Sequence, residues 1–307
     1  MEPKTKKKLH ILLWCEAGVL LLLTAAAVLA IVLGPAPKPQ LSDNTQEQTT
    51  QDTTSHTTGP TDAPVPPFDP NLPPNPFSQK DFVTENGFLR YQAGEAVLGI
   101  DVSTFQKNID WAQVKAAGVE FVIIRLGHRG TNIGTLFVDD DAQSHYEGAI
   151  AAGLKVGGYY YSQAITPQEA KEEAELCLEI IQDWQVEMPI VFDWEHIDED
   201  CRTVVIDPRT LTDCAKAFCQ TIRDAGYDTM IYFNQRQAMN YAIEGWTIQD
   251  RYYLMELLDY GFWLAAYEEM DFPARIDMWQ YTCTGKVPGI NGNVDINLYF
   301  PNIRKTQ

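Results

Sequence analysis

From residue 96 onward, short apolar runs alternate with amphipathic stretches, a pattern that predicts strands followed by helices. Eight strands are predicted, over residues 96–102, 120–126, 155–162, 188–194, 228–233, 261–266, 275–281 and 293–298. The gaps between the last three strands are too short for full crossover helices. Five strand–helix units followed by three closing strands predict an α/β fold with a parallel sheet, closed as a barrel with an irregular end.

Capping signals mark where the predicted helices begin and end. The helix after the third strand begins with Thr166-Pro167-Gln168-Glu169, which combines an N-cap, a first-turn proline and a capping-box glutamate. The helix after the fourth strand begins at Asp207-Pro208, while Gly118 and Gly153 end the first two helices. Helical sequence after the fifth strand extends to about residue 258.

A long apolar run near the N-terminus does not fit this alternation. It covers residues 11–33, contains one charged residue, Glu16, and as a helix would measure about 34 Å, enough to cross a bilayer core of about 30 Å. Since a cleaved signal peptide has a shorter apolar region and a small-residue cleavage site, the run predicts an uncleaved transmembrane signal anchor, with cleavage as the alternative. The lysines of residues 1–10 predict a basic cytoplasmic stub and place the rest of the chain outside the cell membrane.

Residues 34–81 have the composition of a linker. They contain eleven of the eighteen prolines, among Thr, Ser, Gln and Asp, and few large apolar residues. Because such a segment buries too little apolar surface to fold, we expect a disordered, partly extended tether. Residues 82–307 then form one catalytic domain of the size of a single α/β barrel.

Charge and cysteine content exclude several classes of partner and site. The net charge of −19 argues against nucleic acid as a partner. The five cysteines after the apolar run have no metal-ligand spacing, and we interpret them mostly as small buried residues, with one disulfide left open. The triplet Asp139-Asp140-Asp141 lacks the ligand spacing and central glycine of a calcium loop. We therefore expect neither a metal site nor a cofactor, and no hydrolase elbow, zincin or Walker A motif is present.

Two acids stand at the end of the fourth predicted strand, in Asp193-Trp194-Glu195. Side chains two apart on a strand point to the same face, so both carboxyl groups project together and Trp194 points away. Two acids side by side at the end of a dry strand are costly unless they are used or paired. One interpretation is a helix cap or an ion-pair anchor, and the other is a pair of acids that cleaves a glycosidic bond.

Further acids stand at other strand ends. Asp101 ends the first predicted strand and Asp295 lies in the last. Because working residues of α/β barrels lie at the C-terminal ends of strands, we expect both on the same rim as the acid pair.

Aromatic residues on or after the strands suit the faces of sugar rings, although they equally suit a core. The candidates are Tyr159, Tyr160, Tyr161, Tyr232, Trp263, Tyr267, Trp279 and Tyr281.

Several ordered stretches resemble the glycoside hydrolase family 25 lysozymes, which are N-acetylmuramidases. The resemblance covers about residues 96–300 and includes a visible departure, since His128 stands where many relatives carry an aromatic residue. The matching stretches are G-I-D-V-S-T-F-Q, I-D-W-A-Q-V-K-A-A-G, F-V-I-I-R-L-G, A-A-G-L-K-V-G-G-Y-Y-Y-S-Q-A, P-I-V-F-D-W-E, F-W-L-A-A-Y, M-W-Q-Y-T and G-N-V-D-I-N.

The resemblance implies a flattened TIM-like barrel with a monomeric catalytic domain. It implies that the partner is the peptidoglycan glycan strand, cleaved at the β-1,4 bond between N-acetylmuramic acid and N-acetylglucosamine. By the same resemblance Glu195 is the general acid, Asp193 stabilises charge on the sugar, and Asp101 and Asp295 complete the acidic floor. Tyr159, Arg125 and Trp279 contribute to shape and substrate contact.

Two other classes of function stay open. A non-catalytic peptidoglycan-binding module on the same fold would be expected to lack one of the central acids, and all four are present. A carboxylate hydrolase of another glycan or of a phosphoester is the third class. A phosphoesterase would more often show clusters of histidine and metal ligands, which the sequence lacks.

Overall fold

A computed structural model describes residues 68–197, 200–239, 248–267 and 270–304. The predicted cytoplasmic stub, the predicted membrane anchor and residues 34–67 of the predicted linker lie outside the described residues. Among the helices in the described ranges, none has the length and apolar character that a membrane span requires.

The described residues contain the eight predicted strands in order, together with three short strands that were not predicted. The strands are β1 (Phe82–Glu85), β2 (Phe88–Tyr91), β3 (Val97–Val102), β4 (Phe121–Arg129), β5 (Leu136–Val138), β6 (Lys155–Ser162), β7 (Ile190–Trp194), β8 (Thr229–Asn234), β9 (Gly261–Ala265), β10 (Met278–Gly285) and β11 (Val294–Tyr299). The α-helices are α1 (Trp111–Ala116), α2 (Ala142–Ala151), α3 (Pro167–Ile181) and α4 (Pro208–Asp224).

Eight of the strands close into a barrel in the order β3-β4-β6-β7-β8-β9-β10-β11, and β11 pairs back onto β3. All neighbours from β3 round to β10 are parallel, whereas β11 is antiparallel to both of its neighbours. The short strand β5 pairs with β4 outside this ring and is also antiparallel. The predicted closed α/β barrel is confirmed, and its irregular end is the antiparallel closure through β11.

Side chains of the barrel strands separate into an inner and an outer layer. On β7, Val191 joins a buried cluster inside the barrel with Trp263 and Met278, whereas Phe192 and Trp194 pack outward in the larger core. The ring of Phe192 lies 5.3 Å from Phe218 of α4. Strand alternation therefore directs Asp193 into the barrel and Trp194 away from it, as predicted.

The predicted caps hold the helix starts. The Thr166 hydroxyl accepts a hydrogen bond from the Glu169 backbone N–H (3.2 Å), and the Glu169 carboxylate accepts one from Ile165 N–H (2.8 Å). After β8 the described residues contain short 3₁₀ turns, Gln235–Ala238 and Leu254–Leu257, where an α-helix was expected. The first of these turns ends because the backbone at residue 239 is extended.

Residues 68–81 pack on the barrel although their composition predicted a linker. The Phe68 ring lies edge-on to Phe272 (5.2 Å), Leu72 and Phe77 are buried, and Pro74 forms a β-bridge with residue 274. A hairpin of β1 and β2 follows, with Asn86-Gly87 in positive φ at its two-residue turn. The folded part therefore begins before residue 82, because a few anchoring aromatic residues suffice to hold a proline-rich segment.

Candidate active site

The four predicted acids lie at one rim of the barrel. Asp101 and Asp295 are register partners on the antiparallel pair β3–β11. Because β11 runs opposite to the other strands, its beginning lies at their C-terminal ends. Asp193 is the penultimate residue of β7 and Glu195 follows that strand. Three of the four acids act on Tyr159. Burial and the charges of Asp101, Asp193 and Asp295 raise the pKa of Tyr159, and Arg125 lowers it.

Asp101 is held by two amides that the sequence did not single out. Its Oδ2 atom accepts hydrogen bonds from Gln280 Nε2 (3.0 Å) on β10 and Asn297 Nδ2 (2.8 Å) on β11. Burial raises the pKa of Asp101 to about 6, and both amide hydrogen bonds lower it. Asp101 thus changes its charge near pH 6.

Asp193 is buried beside Glu195. Its pKa is raised well above the ordinary value, first by burial and then by the charges of Glu195 and Asp101, and the two side chains share a hydrogen bond. The Asp193 Oδ1 atom has no hydrogen-bond partner within the part of the chain that the structure describes. Since two ionised carboxylates in contact are costly in a dry site, the pair retains one proton.

Asp295 also has a raised pKa, and it lies on the opposite side of the rim from Asp193. Burial raises its pKa well above the ordinary value, and the charges of Asp101 and Glu195 raise it further. The three aspartates therefore bind protons more strongly than isolated carboxyl groups would. A site of this kind can deliver a proton and leave an anion behind.

Tyrosines and an arginine surround the acids. Gln280 Oε1 accepts hydrogen bonds from the hydroxyl groups of Tyr232 (2.9 Å) and Tyr267 (3.0 Å). Arg125 is fixed by Asp139, with 2.7 Å between Nε and Oδ2. Tyr159, Tyr161, Tyr232, Tyr267 and Arg125 are all partly exposed, so the predicted substrate contacts remain open to them.

The two tryptophans among the predicted substrate contacts are not at the surface of the site. Trp263 is 2% exposed, donates through Nε1 to Asn297 Oδ1 (2.9 Å) and meets the Tyr232 ring edge-on at 4.9 Å. Trp279 is 0% exposed, and its ring packs on Phe82 at 5.1 Å. Strand alternation explains the correction, because Gln280 faces the site and Trp279, one residue earlier, faces outward. Trp263 supports the tyrosines, and Trp279 belongs to the outer core.

Two glutamines hold the backbone that carries Glu195. Gln163 Nε2, just after β6, donates to the Glu195 carbonyl (2.5 Å), and Gln237 Nε2 donates to the Trp194 carbonyl (3.1 Å). Both glutamines are buried. Gln163 lies in the Y-Y-Y-S-Q-A stretch and is another functional candidate that the sequence analysis missed.

Across the described ranges, no group of three or more His, Cys, Asp or Glu side chains is arranged to hold a metal ion.

A closed α/β barrel carries clustered carboxyl groups at its C-terminal rim, an arrangement that cleavage of a glycosidic bond by a pair of acids requires. The model of the family Glycosyl hydrolases family 25 matches residues 100–290, and the chain belongs to this family.

Two proteins with lysozyme names are similar to this chain at 24% and 25% identity. Lysozyme M1 of Streptomyces globisporus is 24% identical over 212 residues, which is 66% of this chain and 67% of that protein. The autolytic lysozyme of Clostridium acetobutylicum is 25% identical over 210 residues, 67% of this chain, and the match spans only 56% of that relative.

Solved structures share the fold. The bacterial lysozyme from Streptomyces coelicolor superposes with a TM-score of 0.52 at 24% identity, covering 67% of this chain and 92% of that one. The modular autolysin LytC from Streptococcus pneumoniae gives 0.54 at 23% identity, covering 71% of this chain and 52% of that one.

Proposed function

We propose that this chain is a peptidoglycan hydrolase that cleaves the β-1,4 bond between N-acetylmuramic acid and N-acetylglucosamine. The observation that carries the proposal is the hydrogen-bonded pair Asp193–Glu195 in a rim that also holds Asp101 and Asp295. Family membership, the lysozyme names of the relatives and the LytC structure solved with a synthetic peptidoglycan ligand support it.

The pair supplies the proton that the leaving sugar oxygen needs. Glu195 is half-buried and lies beyond the strand end, whereas Asp193 is buried beneath the rim surface. Glu195 therefore delivers its proton to the leaving sugar oxygen, which leaves both carboxyl groups of the pair ionised. Asp193 then stabilises the positive charge that develops on the sugar. Cleavage of a glycosidic bond requires such an acid together with an anion near the developing oxocarbenium centre.

Asp101 provides a second anion on the opposite side of the rim. Its two amide donors, Gln280 and Asn297, stabilise the ionised form, which predominates above pH about 6. Tyr232 and Tyr267 are tied to the same Gln280 side chain, so the sugar-facing hydroxyl groups and the anion are positioned together. Electrostatic preorganisation of this kind is a main source of catalysis.

The chain is further proposed to be tethered to the outer face of the cell membrane, with residues 11–33 as the single-pass anchor and residues 1–10 in the cytoplasm. The support is the length of the apolar run and the lysines before it. The proline-rich residues between the run and the folded part would act as a spacer toward the wall. Membrane fractionation and protease treatment of intact cells test this, because only a catalytic domain outside the membrane is degraded.

The activity is tested by incubating residues 66–307 with purified peptidoglycan and identifying the new reducing ends. Muramic-acid ends are expected, glucosamine ends would identify a glucosaminidase, and binding without release would favour the non-catalytic module. Glu195→Gln keeps the size of the side chain and removes the acid, so we expect turnover to fall by at least about 100-fold. Undiminished turnover of that variant would refute the role of Glu195.

A further inference from the structure

A row of paired residues leads from the acid pair to an edge of the sheet. Phe137 on β5 is the register partner of His128 on β4, His128 pairs with Tyr161 on β6, and Tyr161 pairs with Asp193 on β7. Directly paired residues on neighbouring strands project to the same face. The four side chains therefore lie along one face, and the row extends beyond the barrel because β5 stands outside the ring.

The outer end of the row carries a stacked aromatic pair. The rings of His128 and Phe137 lie nearly parallel, at 13°, with 4.8 Å between their centroids. Burial and the nearby Arg125 lower the pKa of His128, against opposing charges of Asp139 and Asp140, so the imidazole is neutral at pH 7. A neutral ring backs the apolar face of Phe137, which remains 45% exposed.

The backbone holds this pair in place. Gly127 pairs with Val138, and a Cβ atom at position 127 would lie 2.1 Å from the Phe137 carbonyl oxygen. Only a residue without a side chain allows β5 to approach β4 this closely. The exposed Phe137 ring is thus carried by a paired strand.

We propose that the Phe137 ring, supported by His128, is a distal subsite that stacks on a sugar of the same glycan strand that is cleaved at Asp193–Glu195. The inference rests on the proposed function and names a part of its substrate site. Three inter-strand steps of about 4.8 Å separate Phe137 from Asp193, about 14 Å, so the ring serves a sugar remote from the cleaved bond. The row of residues between Asp193 and Phe137 is continuous and faces the site throughout. An extended ligand that starts at the acid pair, such as a glycan strand, can therefore reach Phe137.

Binding of peptide-free glycan strands of defined length to the full chain tests the subsite. Calorimetry is done on the Glu195→Gln chain, so that the ligand is bound and not cleaved, with a tetrasaccharide and an octasaccharide from peptidoglycan. We expect Phe137→Ala to weaken octasaccharide binding about tenfold, an effect of the size expected for one aromatic stack, and so to abolish the preference for the longer strand.

Matched variants separate stacking from folding and from general hydrophobicity. Val138→Ala changes the neighbouring residue, which is 50% exposed and faces the other side of β5, and should bind both ligands like its parent. Phe137→Trp should keep the preference, and Phe137→Leu should lose it because a branched side chain offers no flat face. Equal thermal melting of the Ala variants shows that folding is not the cause.

The outcomes are distinct for the two proposals. The subsite is overturned if Phe137→Ala still prefers the octasaccharide, or if the parent shows no such preference. This holds even if the unaltered chain releases muramic-acid ends. A length preference that is lost only in Phe137→Ala and Phe137→Leu supports the subsite, even if the unaltered chain releases no reducing ends and the proposed hydrolysis fails.

Discussion

The side-chain amide of Gln163 holds the backbone carbonyl of Glu195, with 2.5 Å between Nε2 and the oxygen. Glu195 follows the last residue of β7, so the hydrogen bonds of the sheet ladder do not position it. Gln163 Nε2 also donates to the carbonyl of its neighbour Ser162 (3.0 Å), and Arg202 donates to the Gln163 carbonyl (3.3 Å). Gln163 therefore links the ends of two strands at the point where the general acid leaves the barrel.

Gln163→Ala is expected to lower kcat by about 10- to 100-fold with a small change in KM, because a displaced general acid impairs proton transfer more than binding. Steady-state kinetics on soluble peptidoglycan fragments measure both constants. Gln168→Ala, at an exposed position of α3, is the matched control and should leave both unchanged. A loss confined to KM would contradict the positioning role of Gln163.

A second prediction concerns the pH dependence of Asp101. The amides of Asn297 and Gln280 donate to its carboxylate and favour the anion, so removing one of them raises the pKa above about 6. Since the ionised Asp101 is the active form, Asn297→Ala should move the acidic limb of the kcat/KM profile to higher pH. A full pH profile from 4 to 8 measures this shift.

The control for this profile separates charge from packing. Asn297→Ala also deprives Trp263 Nε1 of its acceptor, so thermal melting is recorded beside the profile. Asn302→Ala, which changes a surface asparagine bonded to Glu95, should leave the acidic limb in place. A limb that stays in place in Asn297→Ala while the protein remains folded would rule out Asp101 as the titrating group.

The barrel strands and the positions of Asp101 and Asp193 at strand ends could be predicted because both depend on local patterns. Apolar runs mark buried strands, and Asp101 and Asp193 follow such runs directly. Gln280 and Asn297 could not be found this way, since their role depends on the register of β10 and β11 with β3. Their periodicity does not distinguish them from surface amides, and the one local signal is that both lie in stretches that carry the family resemblance, M-W-Q-Y-T and G-N-V-D-I-N.

Other differences had a usable signal. Glu85-Asn86-Gly87-Phe88 contains the Asn-Gly pair of a two-residue hairpin turn, which indicates β1 and β2 from the sequence alone. The two-residue period of a strand also assigns Gln280 and Trp279 to opposite faces. The packing of residues 68–81 had no such signal, because their proline content resembles that of a tether and their contacts are tertiary.

A third prediction follows from the position of Trp279 in the outer core. Its Nε1 donates to the Ala266 carbonyl (2.6 Å), and its ring packs on Phe82 of the hairpin. Trp279→Phe removes this hydrogen bond and part of the buried ring, and should lower the free energy of unfolding by about 1–3 kcal/mol. Urea denaturation measures the change, while KM at a temperature well below the melt should stay unchanged. A raised KM without loss of stability would restore the substrate contact first predicted for Trp279.

The last prediction is that the acid pair costs stability at neutral pH. The pKa of Asp193 in the folded state is well above the value of about 3.9 for an unfolded chain. Its contribution to stability is therefore fully present below pH about 3.9 and is lost as the pH rises through the folded-state pKa. Asp193→Asn cannot ionise, so its Tm should exceed that of the parent more at pH 8 than at pH 4, while turnover falls.

Calorimetric melts at the two pH values test the sign of this linkage. Asp183→Asn, at an exposed position after α3, provides the matched control and should give the same small Tm difference at both pH values. A Tm gain of Asp193→Asn that does not grow between pH 4 and pH 8 would show that the carboxyl group of Asp193 titrates as it does in the unfolded chain. The growing gain expected here would show that the buried Asp193 carboxyl group lowers stability at neutral pH, as strongly perturbed acids of active sites can do.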